Sequence, residues 1–288
     1  VLSSFDQRPT LRRWDVTSGQ LLGSPLDLSE YKSPHWDLSP AGQIFALGRT
    51  DGSVDLWDVA TGQPHGPPLT GHQLPVSEFA LSADGAILVT GGCRQEDIVP
   101  LLCAEGEIRI WDLTSGRSLV EPILLEGLSI GAVAISPDGA TVAAWARAPQ
   151  RRLIILWEVA TGLPVGPPHA AHTSDVNKLV FSPSGKLLAS ASDDYTVILW
   201  DGETGQPLSP PLSGHGSAVY GLAFSPDDQT LASASQDAII LWDLSLESWQ
   251  DHACQRANRN LTPAEWATYL PAQPYRATCP GVPSEPPS

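Results

Sequence analysis

The sequence predicts an all-β fold built from repeats of one four-stranded antiparallel unit. Residues 172–215 show the unit most clearly, because three apolar runs (Val176–Phe181, Leu187–Ser192 and 196–200) alternate with turn residues. Short runs rich in β-branched and aromatic residues, bounded by Gly, Pro and Asp, are typical of strands. A fourth, Pro-rich run at 207–212 is predicted as an edge strand, because proline has no N–H to donate to a sheet.

A Trp-Asp pair ends the third run of each unit and recurs along the chain. Successive tryptophans are separated by 43, 54, 46, 43 and 42 residues, so that only one unit is out of line. The long spacing indicates an insertion, CRQEDIVPLLCAEGE, between the second and third strands of the third unit. The pairs are Trp14-Asp15, Trp57-Asp58, Trp111-Asp112, Trp200-Asp201 and Trp242-Asp243, with Trp157-Glu158 as a variant.

A Gly-His dipeptide at one end of the unit and Trp-Asp at the other, at about 40–45 residues per unit, resemble the WD-repeat family. The resemblance implies a β-propeller with six visible blades. The first blade lacks its innermost strand, and the array is either six blades or part of a seven-bladed or larger one. The predicted propeller covers residues 1–244.

Histidine, hydroxyl and acidic residues recur at fixed spacing in three units, which invites a catalytic-triad interpretation. A catalytic group is needed once, in a cleft, whereas these residues repeat. The resemblance implies instead a structural network, in which a buried indole N–H and a buried imidazole find partners. We therefore expect no catalytic residue and no enzyme. The network positions are His72, Thr90, Glu105, Trp111; His172, Ser190, Asp194, Trp200; and His215, Ser233, Asp237, Trp242.

The sequence offers no metal or cofactor site. Cys93 and Cys103 are ten residues apart with no histidine near them, unlike zinc ligands, and are either free or bridged. There is neither a phosphate-binding glycine loop nor a G-x-S-x-G elbow. We therefore predict that the protein needs no cofactor.

The charge balance restricts the partners. Acidic residues outnumber basic ones 32 to 16, which gives a net charge of −16 and a field that repels nucleic acids and anionic membranes. No run approaches the roughly 18 apolar residues of a membrane helix. Four cysteines do not make a disulfide scaffold, so we expect a reducing, cytoplasmic setting. The chain has no methionine and no signal peptide, and we expect it to be part of a longer protein of unspecified oligomeric state.

Two irregular segments between second and third strands are candidates for binding a protein or peptide, because irregular loops on a rigid scaffold often carry function. The alternative is that both are solvated loops that merely tolerate insertion. The candidate residues are Arg94, Gln95, Glu96 and Asp97 in the insertion, and Arg147, Arg151 and Arg152 in the RAPQRR segment.

The last residues predict a different structure. Helical spacing over 247–258 and 263–270 predicts a tail, residues 245–280, whose Trp249, Ala253, Trp266 and Leu270 pack on the last blade, followed by a disordered segment, 281–288. Cys254 and Cys279 bracket this tail and are expected to lie close together, as thiols or as a disulfide.

The strings ANRNLTPAEWATYL and PYRATCP are similar to tails that end WD-repeat regions in bacterial signalling ATPases of the STAND class. The resemblance implies a sensor propeller that binds a protein or peptide. Two alternatives stay open: a structural or targeting propeller attached to a bacterial kinase or protease, and a small-molecule-binding or enzymatic propeller.

Overall fold

Six antiparallel sheets follow one another along the described part of the chain in a computed structural model. The structure describes residues 2–5, 10–14, 17–21, 25–27, 35–96, 103–148, 151–170 and 172–245, together with Asn260, Thr262, Pro263 and Cys279. The sheets are consecutive blades of a β-propeller, which confirms the predicted fold class.

Blades 1 to 3 contain twelve of the described strands. Blade 1 consists of β1 (Leu2–Phe5), β2 (Thr10–Trp14) and β3 (Leu26–Asp27). Blade 2 consists of β4 (Trp36–Leu38), β5 (Ile44–Gly48), β6 (Val54–Asp58) and β7 (Gln63–Pro64). Blade 3 consists of β8 (Val76–Leu81), β9 (Ile87–Glu96), β10 (Cys103–Asp112), β11 (Arg117–Ser118) and β12 (Ile123–Glu126).

Blades 4 to 6 contain the other ten described strands. Blade 4 consists of β13 (Ser129–Ile135), β14 (Thr141–Ala148) and β15 (Arg151–Glu158). Blade 5 consists of β16 (Val176–Phe181), β17 (Leu187–Ser192), β18 (Thr196–Asp201) and β19 (Leu212–Ser213). Blade 6 consists of β20 (Val219–Phe224), β21 (Thr230–Ser235) and β22 (Ile239–Asp243).

Side-chain hydrogen bonds set the turns that end the strands. In the turn between β8 and β9, the Ser82 hydroxyl donates to Asp84 at 2.6 Å and accepts the Ile87 N–H at 2.9 Å, while Gly85 supplies the positive φ of 70°. After β18, the Asp201 carboxylate accepts the backbone N–H and the hydroxyl of Thr204 at 2.8 and 2.9 Å. These contacts explain why turn residues follow the strands at fixed spacing.

Each blade uses its two faces differently, because side chains alternate along a strand. In blade 5, Leu188, Ile198 and Trp200 face blade 4 and belong to the cluster that contains Trp145. The opposite face carries Ala189, Ala191, Val197 and Leu199, which form a cluster with Val219 and Leu231 of blade 6. The core is therefore a series of apolar layers between blades.

In blade 6, the apolar face that points away from blade 5 is not covered by another described blade. Val197 pairs with Ala191 in blade 5, and Ile239 pairs with Ala234 at the same position of blade 6. Val197 is 0% exposed, whereas Ile239 is 73% exposed. The face of the last blade that points away from blade 5 is therefore open to solvent.

The described parts of the insertion in the third unit, residues 93–96 and 103–107, extend a hairpin. Strands β9 and β10 are ten residues long, and Gly92 pairs with Glu107 at the base of the added segment. Continued pairing satisfies backbone groups that an irregular loop would leave to solvent. Cys93 and Cys103 are bridged by a disulfide with a Cα–Cα distance of 5.6 Å, which links the two strands.

The predicted C-terminal helices lie outside the described residues, apart from Pro263. Asn260 and Cys279 nevertheless meet: the Asn260 side-chain amide donates to the Cys279 carbonyl at 2.9 Å, and the Cys279 N–H donates to Asn260 Oδ1 at 2.8 Å. Cys279 is disulfide-bonded, while Cys254, its expected neighbour, lies outside the described residues. Within the described chain, no helix is long and apolar enough to cross a membrane.

Candidate interaction face

The turns between second and third strands lie at the same end of the blades as the segments that lead into the first strands. A Cβ built on Gly52, in the turn between β5 and β6, would be 2.6 Å from the His72 carbonyl oxygen. In blade 5, the Thr173 N–H donates to Asp194 Oδ2 at 2.9 Å. We call this end of the propeller the turn face; it carries both the histidines and the candidate binding loops.

Blade 5 brings all four of its predicted network residues together. His172 lies 2.9 Å from Asp194 through Nδ1 and 2.6 Å from the Ser190 hydroxyl through Nε2. The Trp200 indole donates to the same hydroxyl at 2.9 Å. Ser190 and Trp200 are 0% exposed, so the Ser-His-Asp arrangement is closed to a substrate, and its hydroxyl already accepts a hydrogen bond.

The electrostatics of blade 5 agree with a structural role. Burial lowers the pKa of His172, against the neighbouring Asp194 charge, so the ring is neutral at pH 7. Burial alone would raise the pKa of Asp194, but hydrogen bonds from Thr196 and the Thr173 N–H, together with His172, lower it to about 2. The carboxylate is therefore ionised and fixes the tautomer of the imidazole.

Blade 6 differs from the expectation at its acidic residue. His215 contacts the Ser233 hydroxyl through Nε2 at 2.6 Å, but its Nδ1 contacts the Ser235 hydroxyl at 2.7 Å. The Asp237 carboxylate accepts a hydrogen bond from the Ser235 hydroxyl at 2.7 Å and does not reach the imidazole. The turn between the paired strands β21 and β22 is one residue shorter than the turn between the paired strands β17 and β18. The Ser235 hydroxyl therefore lies between the Asp237 carboxylate and the His215 ring. Trp242 donates to Ser233 at 2.8 Å.

Blade 3 corrects the expectation for Glu105. The Thr90 hydroxyl contacts His72 Nε2 at 2.7 Å and accepts the Trp111 indole N–H at 2.8 Å. The acid at His72 Nδ1 is Glu107, at 2.8 Å, whereas Glu105 lies 3.5 Å from Arg94. Because β10 continues through the place of the turn, the acid that reaches the histidine is a strand residue.

Glu107 is the most enclosed charged group of this network. Its side chain and that of His72 are each 1% exposed. Burial alone would raise the pKa of Glu107, but the close contacts with His72 and Arg109 lower it overall. The carboxylate therefore anchors the base of the extended hairpin.

Blades 2 and 4 lack the hydroxyl of the network. Leu47 and Ala144 stand at the strand position that Ser190 occupies in blade 5. The Trp57 indole nitrogen is accordingly buried with no hydrogen-bond partner in the described structure. Neither of these two units was expected to contain a histidine network.

The arginines of the blade 4 turn form a cluster with an acid from blade 5. Arg147 forms an ion pair with Asp175, and Arg152 Nε lies 3.6 Å from the same carboxylate. Arg151 is exposed and forms no ion pair with another described residue. Asp175 was not predicted, because the contact joins residues 28 positions apart in sequence.

The extended hairpin of blade 3 carries the other candidate residues. Arg94 and Gln95 lie on β9, with Gln95 paired to Glu105 across the hairpin. Glu96 ends the strand, and Asp97 lies outside the described residues. Among the ion pairs of the described chain, none joins this group to the blade 4 arginines, so the two groups are neighbours on adjacent blades rather than one charge network.

A cavity of about 510 Å³ between the first strands of blades 2 to 6 was not predicted. Most of its lining is apolar, but Asp37 and Lys178 also contribute. Burial raises the pKa of nearby Glu78 to about 8, against the opposing effect of Lys178. Glu78 and Lys178 both stand four residues before the serine that begins the turn after the first strand of their blade. This shared position is the sequence signal that places charged side chains near the cavity.

Among the described residues, no group of three or more His, Cys, Asp or Glu could hold a metal ion.

The family model described as WD domain, G-beta repeat matches residues 65–112, 167–201 and 205–243. These three segments contain the histidine–hydroxyl–tryptophan networks of blades 3, 5 and 6. Comparison with curated proteins finds no match. WD repeats generally mediate protein–protein interaction, which supports a non-catalytic recognition platform.

Proposed function

We propose that this WD-repeat propeller binds a protein or peptide partner on its turn face, through the hairpins of blades 3 and 4. The observation that carries the proposal is the unequal length of the hairpins. The second and third strands have ten residues each in blade 3 and eight each in blade 4, but six each in blade 5. The two long hairpins extend the turn face on adjacent blades.

The base of the long hairpin is rigid. Glu107 is held by His72 and Arg109 directly below it, whether or not the disulfide between Cys93 and Cys103 also links its strands. A preorganised loop binds with a smaller entropic cost than a mobile one. The arrangement therefore presents Arg94 and Gln95 in a defined orientation to a partner.

The wider biological setting is part of the proposal. The C-terminal strings similar to STAND-class tails support a sensor role within a larger bacterial signalling protein. A cytoplasmic location predicts that Cys93 and Cys103 are reduced in the native host, because cytosolic thiols are kept reduced. Alkylation of freshly lysed cells, followed by mass determination, distinguishes free thiols from the disulfide.

A small-molecule role is the second candidate, and the central cavity favours it. Ligand pockets typically enclose about 300–1,000 Å³ with mostly apolar walls and a few polar groups. The cavity of about 510 Å³, with Asp37 and Lys178 in its wall, fits this description. Ligand-induced thermal shifts that disappear in Lys178→Met and persist after hairpin shortening would favour this function.

The main test shortens the blade 3 hairpin at a position that the pairing allows. Replacing residues 93–106 with Asn-Gly joins the paired residues Gly92 and Glu107 by a two-residue turn. We expect partner capture from the native host to be lost while the propeller keeps its fold, as judged by circular dichroism, although the disulfide and the pairing of Glu105 and Gly106 with β12 are removed. The control is Thr114→Ala in the turn after β10, at the opposite end of the blade. Capture of the same partners by the shortened protein would refute the proposed face.

A further inference from the structure

We propose that the blade 4 arginines, Arg147, Arg151 and Arg152, bind an acidic peptide segment of the partner. This inference rests on the proposed function and specifies the chemistry of the partner. The cluster places two guanidinium groups, those of Arg147 and Arg152, against one carboxylate, that of Asp175, while the neighbouring Arg151 forms no ion pair with a described residue. It therefore retains positive charge, although the whole chain carries a net charge of −16.

The orientation of Arg147 is set by the groups beneath it. Its guanidinium carbon lies 5.8 Å from the centroid of the Trp145 ring, and its Nε donates to the Ser129 hydroxyl at 3.3 Å. Trp145 itself packs against the backbone of Gly131, where an added Cβ would be 2.1 Å from the indole. Even so, the Arg147 side chain remains 52% exposed, so a fixed donor group faces solvent.

Arg151 and Arg152 leave donor capacity for a ligand. Arg152 is 37% exposed, and its contact with Asp175, at 3.6 Å, is made through the buried Nε, so the terminal nitrogens of its guanidinium remain for a ligand. Arg151, next in sequence, is exposed and unpaired among the described residues. An arginine presents several donors in a planar fork that matches a carboxylate, so further carboxylates can bind here.

The surroundings favour an acidic peptide over a nucleic acid. Asp193 bounds the cluster on the blade 5 side, where it accepts a hydrogen bond from Asn177 at 2.6 Å. A long polyanion that crosses this boundary meets the acidic surface of the protein and is repelled. A short peptide with two or three carboxylates can instead contact the arginines alone.

Asp175 gives the inference a distinctive signature. It is 32% exposed and occupies the position that a partner carboxylate would take between Arg147 and Arg152. Binding of an acidic peptide therefore requires that Asp175 be displaced or share its partners. Removing this internal competitor should strengthen peptide binding, although it removes an ion pair from the free protein.

The experiment measures fluorescence anisotropy with a labelled peptide of alternating Glu, Asp and Gly residues, and with its Gln/Asn counterpart as the neutral probe. We expect binding of the acidic probe only, at least tenfold weaker for the double variant R151A/R152A and severalfold tighter for Asp175→Asn. The exposed Arg117→Ala in β11 is the matched control and should bind as the parent does. Arg151→Glu, at an exposed position, guards against a folding defect in the double variant.

Each outcome decides between the alternatives. Equal binding of the acidic and neutral probes, or an unchanged affinity in both R151A/R152A and Arg151→Glu, overturns the inference. Weaker binding by Asp175→Asn also overturns it, since Asp175 would then support the site rather than compete. Binding of a duplex DNA probe with the same arginine dependence would replace the peptide with a polyanion. Loss of native partner capture on hairpin shortening, without acidic-peptide binding, would leave the proposed function intact and reject this inference alone.

Discussion

Ser190→Ala tests the hypothesis that the histidine network of blade 5 stabilises the fold. The hydroxyl accepts the Trp200 indole N–H at 2.9 Å and contacts His172 Nε2 at 2.6 Å, and Ser190 is 0% exposed. The substitution leaves both nitrogen atoms buried without this partner. An unsatisfied buried polar group costs about 1–3 kcal/mol. We therefore expect the free energy of unfolding to fall by about 2–4 kcal/mol.

The expected fall in the free energy of unfolding does not come from disruption of the strand. Blade 4 has Ala144 at the equivalent position, paired with Ile155 as Ser190 is paired with Ile198. Ala144 is 0% exposed, so alanine is compatible with the packing at this position. The cost of Ser190→Ala consequently reports the two lost contacts rather than a disrupted strand.

The assay is urea unfolding monitored by circular dichroism, applied to a double-mutant cycle of Ser190→Ala with Trp200→Phe. The phenylalanine removes the indole N–H, so the coupling free energy isolates the bond between the two side chains. We expect a coupling of about 1 kcal/mol, the typical net value of one hydrogen bond. Ser184→Ala, at an exposed turn of the same blade, should change stability by less than about 0.5 kcal/mol. Additivity of the two substitutions, or equal effects of Ser190→Ala and Ser184→Ala, would refute the network.

Three further predictions follow from burial and charge. Trp200→Ala should cost about 3–5 kcal/mol, far more than the same change at Trp36, which is 43% exposed; equal melting temperatures would contradict the repeat assignment. Because burial raises the pKa of Glu78 from 4.5 to about 8, the folded state holds a proton that the unfolded state has released between these values. Stability should therefore decrease as pH rises through that window, and Glu78→Gln should flatten this part of the urea-unfolding profile; an unchanged profile would contradict the shift. Ile239→Lys should keep the fold and Val197→Lys should unfold it, as seen by circular dichroism, because the two positions are 73% and 0% exposed; unfolding by Ile239→Lys would show that the last blade is covered.

The repeat and the blade 5 network could be predicted because each depends on local sequence. Strand alternation and the Trp-Asp spacing define the blade and place Ser190 and Trp200 on adjacent strands, while His172 precedes β16 and Asp194 lies in the turn between β17 and β18. The resemblance to WD repeats then implied the contacts among the four side chains. Blade 5 has the regular strand and turn lengths on which that inference relies.

The acids of blades 3 and 6 could not be assigned in the same way, because their positions depend on turn length. One residue fewer in the blade 6 turn separates Asp237 from His215, and the continued strand of blade 3 replaces Glu105 by Glu107. The contact of Asp175 with the blade 4 arginines depends on packing between blades. Such contacts have no signal in the pattern of a single repeat.

Structural and recognition residues are adjacent on the turn face, and this adjacency has a physical reason. In blade 3, the buried acid Glu107 pairs in register with Gly92, at the point where the long hairpin leaves the blade. Blade 4 has no hydroxyl at the network position, but the Arg147–Asp175 ion pair connects its turn to blade 5 at the same end. Both hairpins are thus anchored where they emerge, one by a buried network and the other by an exposed ion pair. The exposed pair can exchange its carboxylate for that of a ligand, whereas the buried network cannot, so the blade without the network provides the adaptable contact.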